Sequence, residues 1–377
     1  MVHHYQEQTE ECFSRRDVLR GVAGVLLILG LEGCAQSLFL RSTPTPVPTT
    51  RPQGSVLYSY RGHRSRVITV AWSPDGTYIA SGSLDKTVYV WAANPSTSIR
   101  PFIYRGHTAG VQSVAWSPHG SRVVSGSLDT AVQVWNALTG EQRGLYEGHT
   151  ASVMTVAWSP HGHAIASGSA DGTVRMWDVA TGKQQYVYRG HTASINSLVW
   201  SPDSRSIASG ASDKTVHIID ATSGKQVYIY RGHTDTVSSV SWSPDGVFIA
   251  SGSWDKTVQV WHAFTGVRAY TYRGYNVQVA RYDPSKGVLP DIILAVAWSH
   301  HGKRIAATTQ VYCGDSCGVV LEWDASTQQH FSFNIDLPIF ALAWSPDDTR
   351  LVSSIEITTQ DSSITEKDGP YVQITQA

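Results

Sequence analysis

Beyond residue 55 the chain repeats itself, and this limits what it can fold into more than any other feature. Gly-His pairs fall at Gly62-His63, Gly106-His107, Gly148-His149, Gly190-His191 and Gly232-His233, spaced by 44 residues once and by 42 thereafter. Trp-Ser-Pro recurs at Trp72, Trp116, Trp158, Trp200, Trp242 and Trp344, with Trp-Ser-His at Trp298. A second Trp follows 19 residues after the first at Trp91, Trp135, Trp177 and Trp261; Ile219 takes that place in the fourth unit, and Trp323 takes it in the sixth after a short insertion. The two series account for twelve of the thirteen tryptophans and leave Trp254 unexplained. A fixed period of this size marks a modular array in which each unit is completed by its neighbours.

Within a unit the local pattern is β throughout. The first holds four short apolar-alternating runs, VITVAW, YIASGS, TVYVW and RPFIY, separated by Ser-Pro-Asp-Gly, Leu-Asp-Lys and Asn-Pro-Ser-Thr. These separators are turn chemistry of hairpin length, so the four strands run antiparallel. One such sheet cannot bury both of its faces, but sheets stacked in a ring can. With its Gly-His pairs, Asp turns and closing tryptophans, the chain resembles the WD-repeat family over residues 55–377, although only Trp177-Asp178 and Trp323-Asp324 carry the literal Trp-Asp pair. The expected fold is all-β: a seven-bladed β-propeller of four-stranded antiparallel sheets. The last unit ends at YVQIT without its fourth strand, while SVLYSYRGH at 55–63 matches VYIYRGH from the end of the fourth repeat. Residues 55–61 are therefore expected to supply the outer strand of the seventh blade and close the ring, removing an open sheet edge.

Five units carry His, Ser, Asp and Trp at constant offsets: His63, Ser81, Asp85, Trp91; His107, Ser125, Asp129, Trp135; His149, Ser167, Asp171, Trp177; His191, Ser209, Asp213 with Ile219; and His233, Ser251, Asp255, Trp261. A catalytic triad is needed once per site, beside an oxyanion hole. Five copies point instead to a buried hydrogen-bond chain tying each blade together, as the resemblance also implies. Gly314-Asp315-Ser316-Cys317-Gly318 spells G-x-S-x-G but lacks the strand-to-helix context of a nucleophile elbow. His119, His161, His163, His300 and His301 stand in the first turns of blades two, three and six and read as solvated turn residues. No catalytic residue, metal ligand or cofactor is expected.

Blade six departs from the pattern. Tyr275 replaces His, Cys317 replaces Asp, and insertions fall near 275–291 and 311–318, with a further loop at 357–369 in the last blade. Because strands alternate in direction, the two blade-six insertions should emerge on one rim. Cys313 and Cys317 form C-x-x-x-C, for which an exported protein favours a disulfide over metal ligation or free thiols. The residues before the Asp turns project on the rim shared with the Gly-His segments. Trp254, Leu84 and Leu128, with Arg64 and Arg66 nearby, are expected to form a surface for a protein or peptide partner; the alternative for Trp254 is packing under the blade-six insertion.

The first 54 residues read as an address and a tether. Arg15-Arg16 with Leu19, ahead of the apolar run Gly21–Leu31, resembles a bacterial twin-arginine export signal. Eleven apolar residues are too few to cross a hydrocarbon core as a helix. Leu31-Glu32-Gly33-Cys34 resembles a lipoprotein cleavage box with Cys34 as the lipidated residue; the alternatives are a plain cleaved signal or an uncleaved anchor. Residues 1–33 are thus read as the export signal, and 34–54, rich in Pro and Thr, as an extended spacer. All three readings place the propeller outside the cytoplasm, and lipidation would hold it at a bacterial membrane.

A formal net charge of -1 leaves no basic footprint for nucleic acid. The expected function is a monomeric, non-enzymatic scaffold for protein interaction, touching the membrane through its lipid alone. The alternative is an exported propeller lyase or hydrolase, or a binder of glycans or small ligands. That alternative requires non-repeating ionisable residues converging near the axis, and the sequence offers only Tyr275, Arg281, Tyr282 and Asp283.

Overall fold

A computed structural model describes residues 53–97, 100–273, 292–311, 317–335, 338–356 and 370–377. Its strands form seven four-stranded antiparallel sheets in a ring. The first blade runs outward as β2 (Val67–Trp72), β3 (Tyr78–Ser83), β4 (Val88–Ala92) and β5 (Phe102–Tyr104). Its third strand, β4, puts Val88, Val90 and Ala92 on one face and Tyr89 and Trp91 on the other and is buried along its whole length. At the Ser-Pro-Asp-Gly turn the Gly76 N–H donates to Ser73 O over 2.9 Å, with Gly76 in the left-handed region at φ 69°.

The seventh sheet has the order β1 (Val56–Arg61), β28 (Tyr371–Gln376), β27 (Arg350–Ile355), β26 (Ile339–Trp344). The chain's first described strand pairs with its last, Tyr60 opposite Val372 and Arg61 opposite Tyr371. The innermost strands of neighbouring blades lie against one another all the way round, β2 against β26 included. In blade six the middle hairpin is longer than a repeat requires because its strands are longer: β23 (Arg304–Val311) and β24 (Cys317–Asp324) pair as far as Val311 and Cys317. The extra residues therefore extend the sheet, and only 312–316 are left to connect the two strands. Segments 274–291, 312–316 and 357–369 all join strand ends on the rim that carries the Asp turns.

Two sets of bonds link the inner strands. A register shift near the start of each inner strand, as between Val67 and Thr69, disturbs the ladder there and leaves groups free to pair with the next blade. The Val114 N–H donates to Thr69 Oγ1 at 3.3 Å, Val156 to Ser113 at 3.1 Å, Leu198 to Thr155 at 3.3 Å, Val240 to Ser197 at 3.1 Å and Val296 to Ser239 at 3.0 Å. Each donor belongs to the blade after its acceptor. Four inner-strand indoles do the same: Trp116 Nε1 donates to Ala71 O, Trp200 to Ala157 O, Trp344 to Ala297 O, and Trp72 closes the circle onto Ala343 O, all within 3.2 Å, whereas Trp298 Nε1 donates within its own blade to Gly302 O.

Farther out, each seam holds its own apolar core. Tyr60, Tyr104, Tyr146, Tyr230 and Tyr272 each leave the outer strand of one blade and lie on the Trp of the next; Tyr188, at the equivalent place, meets a blade that has Ile219 instead. Tyr104 on Trp135, Tyr230 on Trp261 and Tyr272 on Trp323 are flat stacks with centroids 4.3, 4.1 and 4.4 Å apart. In the first two, a Gln from the partner's third strand accepts the Tyr hydroxyl at 2.6 Å, Gln133 for Tyr104 and Gln259 for Tyr230. Where Tyr89 or Arg175 takes the Gln position, the stack tilts to 49° or 46°.

The seam between blades six and seven is built differently. Beside its apolar core lies a polar network. Glu322, fully buried, accepts Arg304 Nη1 at 2.6 Å and Gln53 Nε2 at 2.9 Å. The Arg304 guanidinium also lies over the Trp344 ring at 4.6 Å and donates to Asp348 O. Asp348 in turn accepts the backbone N–H groups of His300 and His301 at 2.7 and 2.8 Å.

Deleting residues 53–61 removes β1, bares the edge of β28 and takes Tyr60 off Trp91. The thermal midpoint, followed by circular dichroism, is expected to fall by at least about 5 °C, the equivalent of a few kcal/mol for a domain this size. An unchanged midpoint would show that the ring does not need its closing strand.

Candidate functional site

The five His-Ser-Asp sets each close within one blade. In the first, His63 Nδ1 lies 2.9 Å from Asp85 Oδ2, His63 Nε2 lies 2.8 Å from Ser81 Oγ, and Trp91 Nε1 donates to Ser81 Oγ at 2.8 Å. The order is self-consistent: indole N–H to hydroxyl, hydroxyl to Nε2, Nδ1–H to carboxylate. His107, His149, His191 and His233 repeat both contacts within 2.9 Å. Trp135, Trp177 and Trp261 reach their serines at 3.2, 2.8 and 3.1 Å, whereas Ile219 leaves Ser209 without an indole donor. The His side chains are at most 1% exposed.

Each carboxylate is held by more than its histidine. Asp171 Oδ2 accepts the Thr150 N–H, and its Oδ1 accepts both the N–H and the hydroxyl of Thr173. Burial alone would raise such carboxyls. The donors around them win, and they hold Asp129, Asp171 and Asp255 at about 2 and Asp85 and Asp213 lower still.

In the fourth blade His217 stands where the second and fifth have Gln. His191, Asp213 and His217 are the one group of three metal-ligand side chains within mutual reach among the described residues, their ligand atoms within 4.8 Å. The rings of His191 and His217 are stacked, however, with centroids 3.7 Å apart and planes at 21°. Imidazole lone pairs lie in the ring plane, so stacked rings aim them side by side and not at one ion. Both His191 nitrogens are already engaged by Ser209 and Asp213, and His217 Nδ1 meets Tyr188 Oη at 2.6 Å. Tyr89 stacks on His63 in the same position in blade one, so His217 acts as a ring platform and does not fit as a ligand. Burial and the adjacent His191 push it down to about 3.

At the end of the channel opposite the Asp turns lies a cavity of about 660 Å³, lined chiefly by repeat residues such as Trp72, Trp116, Trp344, Pro74, Pro118 and Pro346. His300 is the one ionisable group in its lining, and its Nδ1 is 3.2 Å from Asp348 Oδ1. His301 Nδ1 holds the other oxygen at 2.8 Å. These two histidines therefore form a latch between blades and not merely the solvated turn read from the sequence.

The Asp-turn rim separates the expected partner contacts into two groups. Leu84 and Leu128 meet over Gly110 at the seam of blades one and two, where a Cβ on that glycine would come within 2.8 and 3.4 Å of them. Trp254 is 46% exposed on blade five, three blades away round the ring. Arg64 is exposed, but Arg66 is engaged with blade seven: its Nε donates to Glu356 Oε1 at 2.8 Å and its guanidinium covers Phe340. Cys34 and Cys313 lie outside the described residues, as do the side chain of Cys317 and Tyr275, Arg281, Tyr282 and Asp283.

The five Asp sets make stability acid-sensitive with a definite sign. Their carboxyls sit lower folded than the ordinary 3.8, so they stabilise fully above that value and lose the contribution as pH falls toward 2. Urea midpoints measured between pH 5 and 2 should drop steadily. Asp129→Asn should be destabilised at pH 5 by about 2 kcal/mol and show a shallower slope; a parallel curve would mean that Asp129 does not take part.

The family model described as "WD domain, G-beta repeat" matches residues 54–92, 99–136, 140–178, 182–220 and 224–262, together just over half of the chain. Among curated proteins, Protein HIRA of Zea mays is 40% identical over 47 residues, covering 12% of this chain and 5% of its own length. WD repeat-containing protein 1 of Gallus gallus is 43% identical over 51 residues, 13% of this chain and 8% of its own, and WD repeat-containing protein 1-B of Xenopus laevis is 46% identical over 43 residues, 11% and 7%. The matched stretches thus span less than a tenth of those relatives. On the five matched repeats and the seven sheets that continue them round the ring, this chain belongs to the WD-repeat family.

Proposed function

We propose that this protein is a non-enzymatic scaffold that holds a protein or peptide partner on its Asp-turn rim. The observation that carries the reading is the closure of every His-Ser-Asp set within its own blade, five times over, with each histidine buried and engaged at both nitrogens. A general base must reach a substrate proton, and these cannot. What the repeat leaves over is Trp254, an exposed indole on a rigid turn, which is the kind of residue that anchors interfaces. Leu84 and Leu128 offer a second, separate apolar contact across the channel mouth.

The scaffold reading joins the N-terminal one: residues 1–33 direct export and Cys34 carries the lipid that holds the propeller at the outer face of a bacterial membrane. The Pro- and Thr-rich spacer then sets its distance from the surface.

Proximity labelling on intact cells tests the partner rim. Trp254→Ala should melt within about 2 °C of the parent, because the indole is half in water, and should lose the labelled partners; an unchanged set removes Trp254 from the interface. Cell fractionation tests the anchor. Cys34→Ala should move the protein from the membrane fraction to the soluble one, and a variant that stays with the membrane refutes lipid anchoring at Cys34.

A further inference from the structure

The charge around Trp254 specifies what kind of partner its rim takes. We propose that the Asp-turn rim of blades four and five docks an acidic peptide segment, with Trp254 covering an apolar side chain and Lys214, Arg231 and Lys256 meeting its carboxylates. This rests on the scaffold reading above and narrows it to one partner chemistry.

The turn bearing Trp254 is fixed by its backbone: the Trp254 N–H donates to Thr236 O at 2.9 Å, Asp255 N–H to Ser253 Oγ at 3.0 Å and Lys256 N–H to Ser253 O at 3.2 Å. The neighbouring turn of blade four is tied to the same place. Asn196 Nδ2 donates to Ser212 Oγ at 3.0 Å and to Val237 O at 2.9 Å, so the turn carrying Lys214 abuts the start of blade five's inner strand. Lys214 and Lys256 occupy equivalent positions, both at φ 71° in the left-handed region, where blade three has Gly172. Arg231 enters the same end of blade five, two residues before His233, whose ring is bonded to Asp255.

Carboxylates at this end do not cancel those cations at the surface. Asp213 and Asp255 have side chains 10% and 7% exposed, and both oxygens of each are occupied: one by the histidine and a Thr N–H, the other by a Thr N–H and hydroxyl. Asp235 is exposed, with one oxygen on the Thr236 N–H at 2.7 Å. Among the described residues a docking chain therefore meets Lys214, Arg231 and Lys256, with Arg189 at the equivalent place in blade four, and the single exposed carboxylate of Asp235 beside the indole. Blade three bounds the patch on one side, presenting Glu147 and Gly172 where blades four and five present Arg189 with Lys214 and Arg231 with Lys256; blade one carries the same pair as Arg61 and Lys86, and what sets blades four and five apart is the exposed Trp254 between those cations. A peptide fits better than nucleic acid: three cations are few for a phosphate backbone, and an apolar anchor beside them matches a mixed acidic and apolar segment.

The test is fluorescence anisotropy on the full chain with dye-labelled peptides of equal length, each carrying one Phe among Glu, Ser or Lys residues, and with an oligothymidylate. The Glu peptide should bind in a salt-dependent way, and Lys214→Glu combined with Lys256→Glu should weaken it about tenfold or more, as should Trp254→Ala. Lys86→Glu, in blade one, should change it less than about twofold. Thermal melts check that each variant is folded. Glu and Ser peptides that bind alike and are lost only in Trp254→Ala would overturn the acidic preference and leave the rim reading standing. Binding indifferent to all the substitutions would overturn both. Tighter binding of the oligothymidylate, or no salt-dependent binding of the Glu peptide, would overturn the proposal.

Discussion

A four-stranded blade has two apolar faces and cannot bury either by itself, so everything in this molecule depends on the seam between one blade and the next. The seam is set at the innermost strands. There a register shift lets the hydroxyls of Thr69, Ser113, Thr155, Ser197 and Ser239 take an N–H from the following blade. Each bond is worth about 1 kcal/mol net, but its larger effect is to fix the height of one sheet against its neighbour. With that height set, glycines of the second strand, such as Gly126, sit where a side chain would strike the next inner strand; a Cβ there would come 2.6 Å from Val153 Cγ1. The tyrosines of the outer strands then fall on the next blade's indoles.

The His-Ser-Asp sets follow from this arrangement. A buried ionised carboxylate is costly unless donors surround it, and the Asp turn supplies them: an imidazole N–H, a Thr backbone N–H from the adjoining loop, and groups from the turn itself. The set thereby ties the loop entering a blade to the turn between its second and third strands. The fourth blade shows which members can be spared. Ile219 removes the indole, yet His191 keeps Ser209 and Asp213 within 2.9 Å, with the His217 ring stacked on it as Tyr89 is on His63. Blades six and seven have given up the set, and their seam is held by Glu322, Arg304 and the clamp of Asp348 on two consecutive N–H groups. Asp348 occupies a left-handed position, φ 54°, where most blades have glycine. Strain of this kind is kept where a side chain at that spot is needed, and here the side chain crosses to the neighbouring blade.

Much of the fold was legible because periodicity carries it. Evenly spaced tryptophans count the blades, and the likeness of SVLYSYRGH to the end of an internal repeat locates the closing strand across more than 300 residues. Offsets within a repeat also select the residues that meet as His, Ser and Asp. The tyrosine stacks had a signal too, since Tyr60, Tyr104, Tyr146, Tyr188 and Tyr230 all precede a Gly-His pair, but strand alternation says only which face a residue takes and not which blade it meets. Contacts without a periodic counterpart left no trace. Arg66 with Glu356 and Gln53 with Glu322 join positions 290 and 269 apart, and nothing local distinguishes those residues from solvated charges. The spacing of the rim residues around the ring was hidden for the same reason. Leu84, Leu128 and Trp254 share one offset in the repeat, yet a shared offset places residues at one height on the ring and leaves their angular positions open.

That distinction between height and angle is also why function must be sought in departures from the repeat. Seven near-equivalent modules make a surface with little to tell one direction from another, and the groups that recur are consumed in holding the modules together. A partner that binds in one orientation needs a feature that occurs once. Trp254 is such a feature, and the cations beside it belong to two adjacent blades while the next blade back carries Glu147. Because the turn under Trp254 is locked by its own backbone hydrogen bonds, presenting the indole costs little ordering on binding. The repeat supplies rigidity, and in the proposed function the irregularities built on it supply recognition.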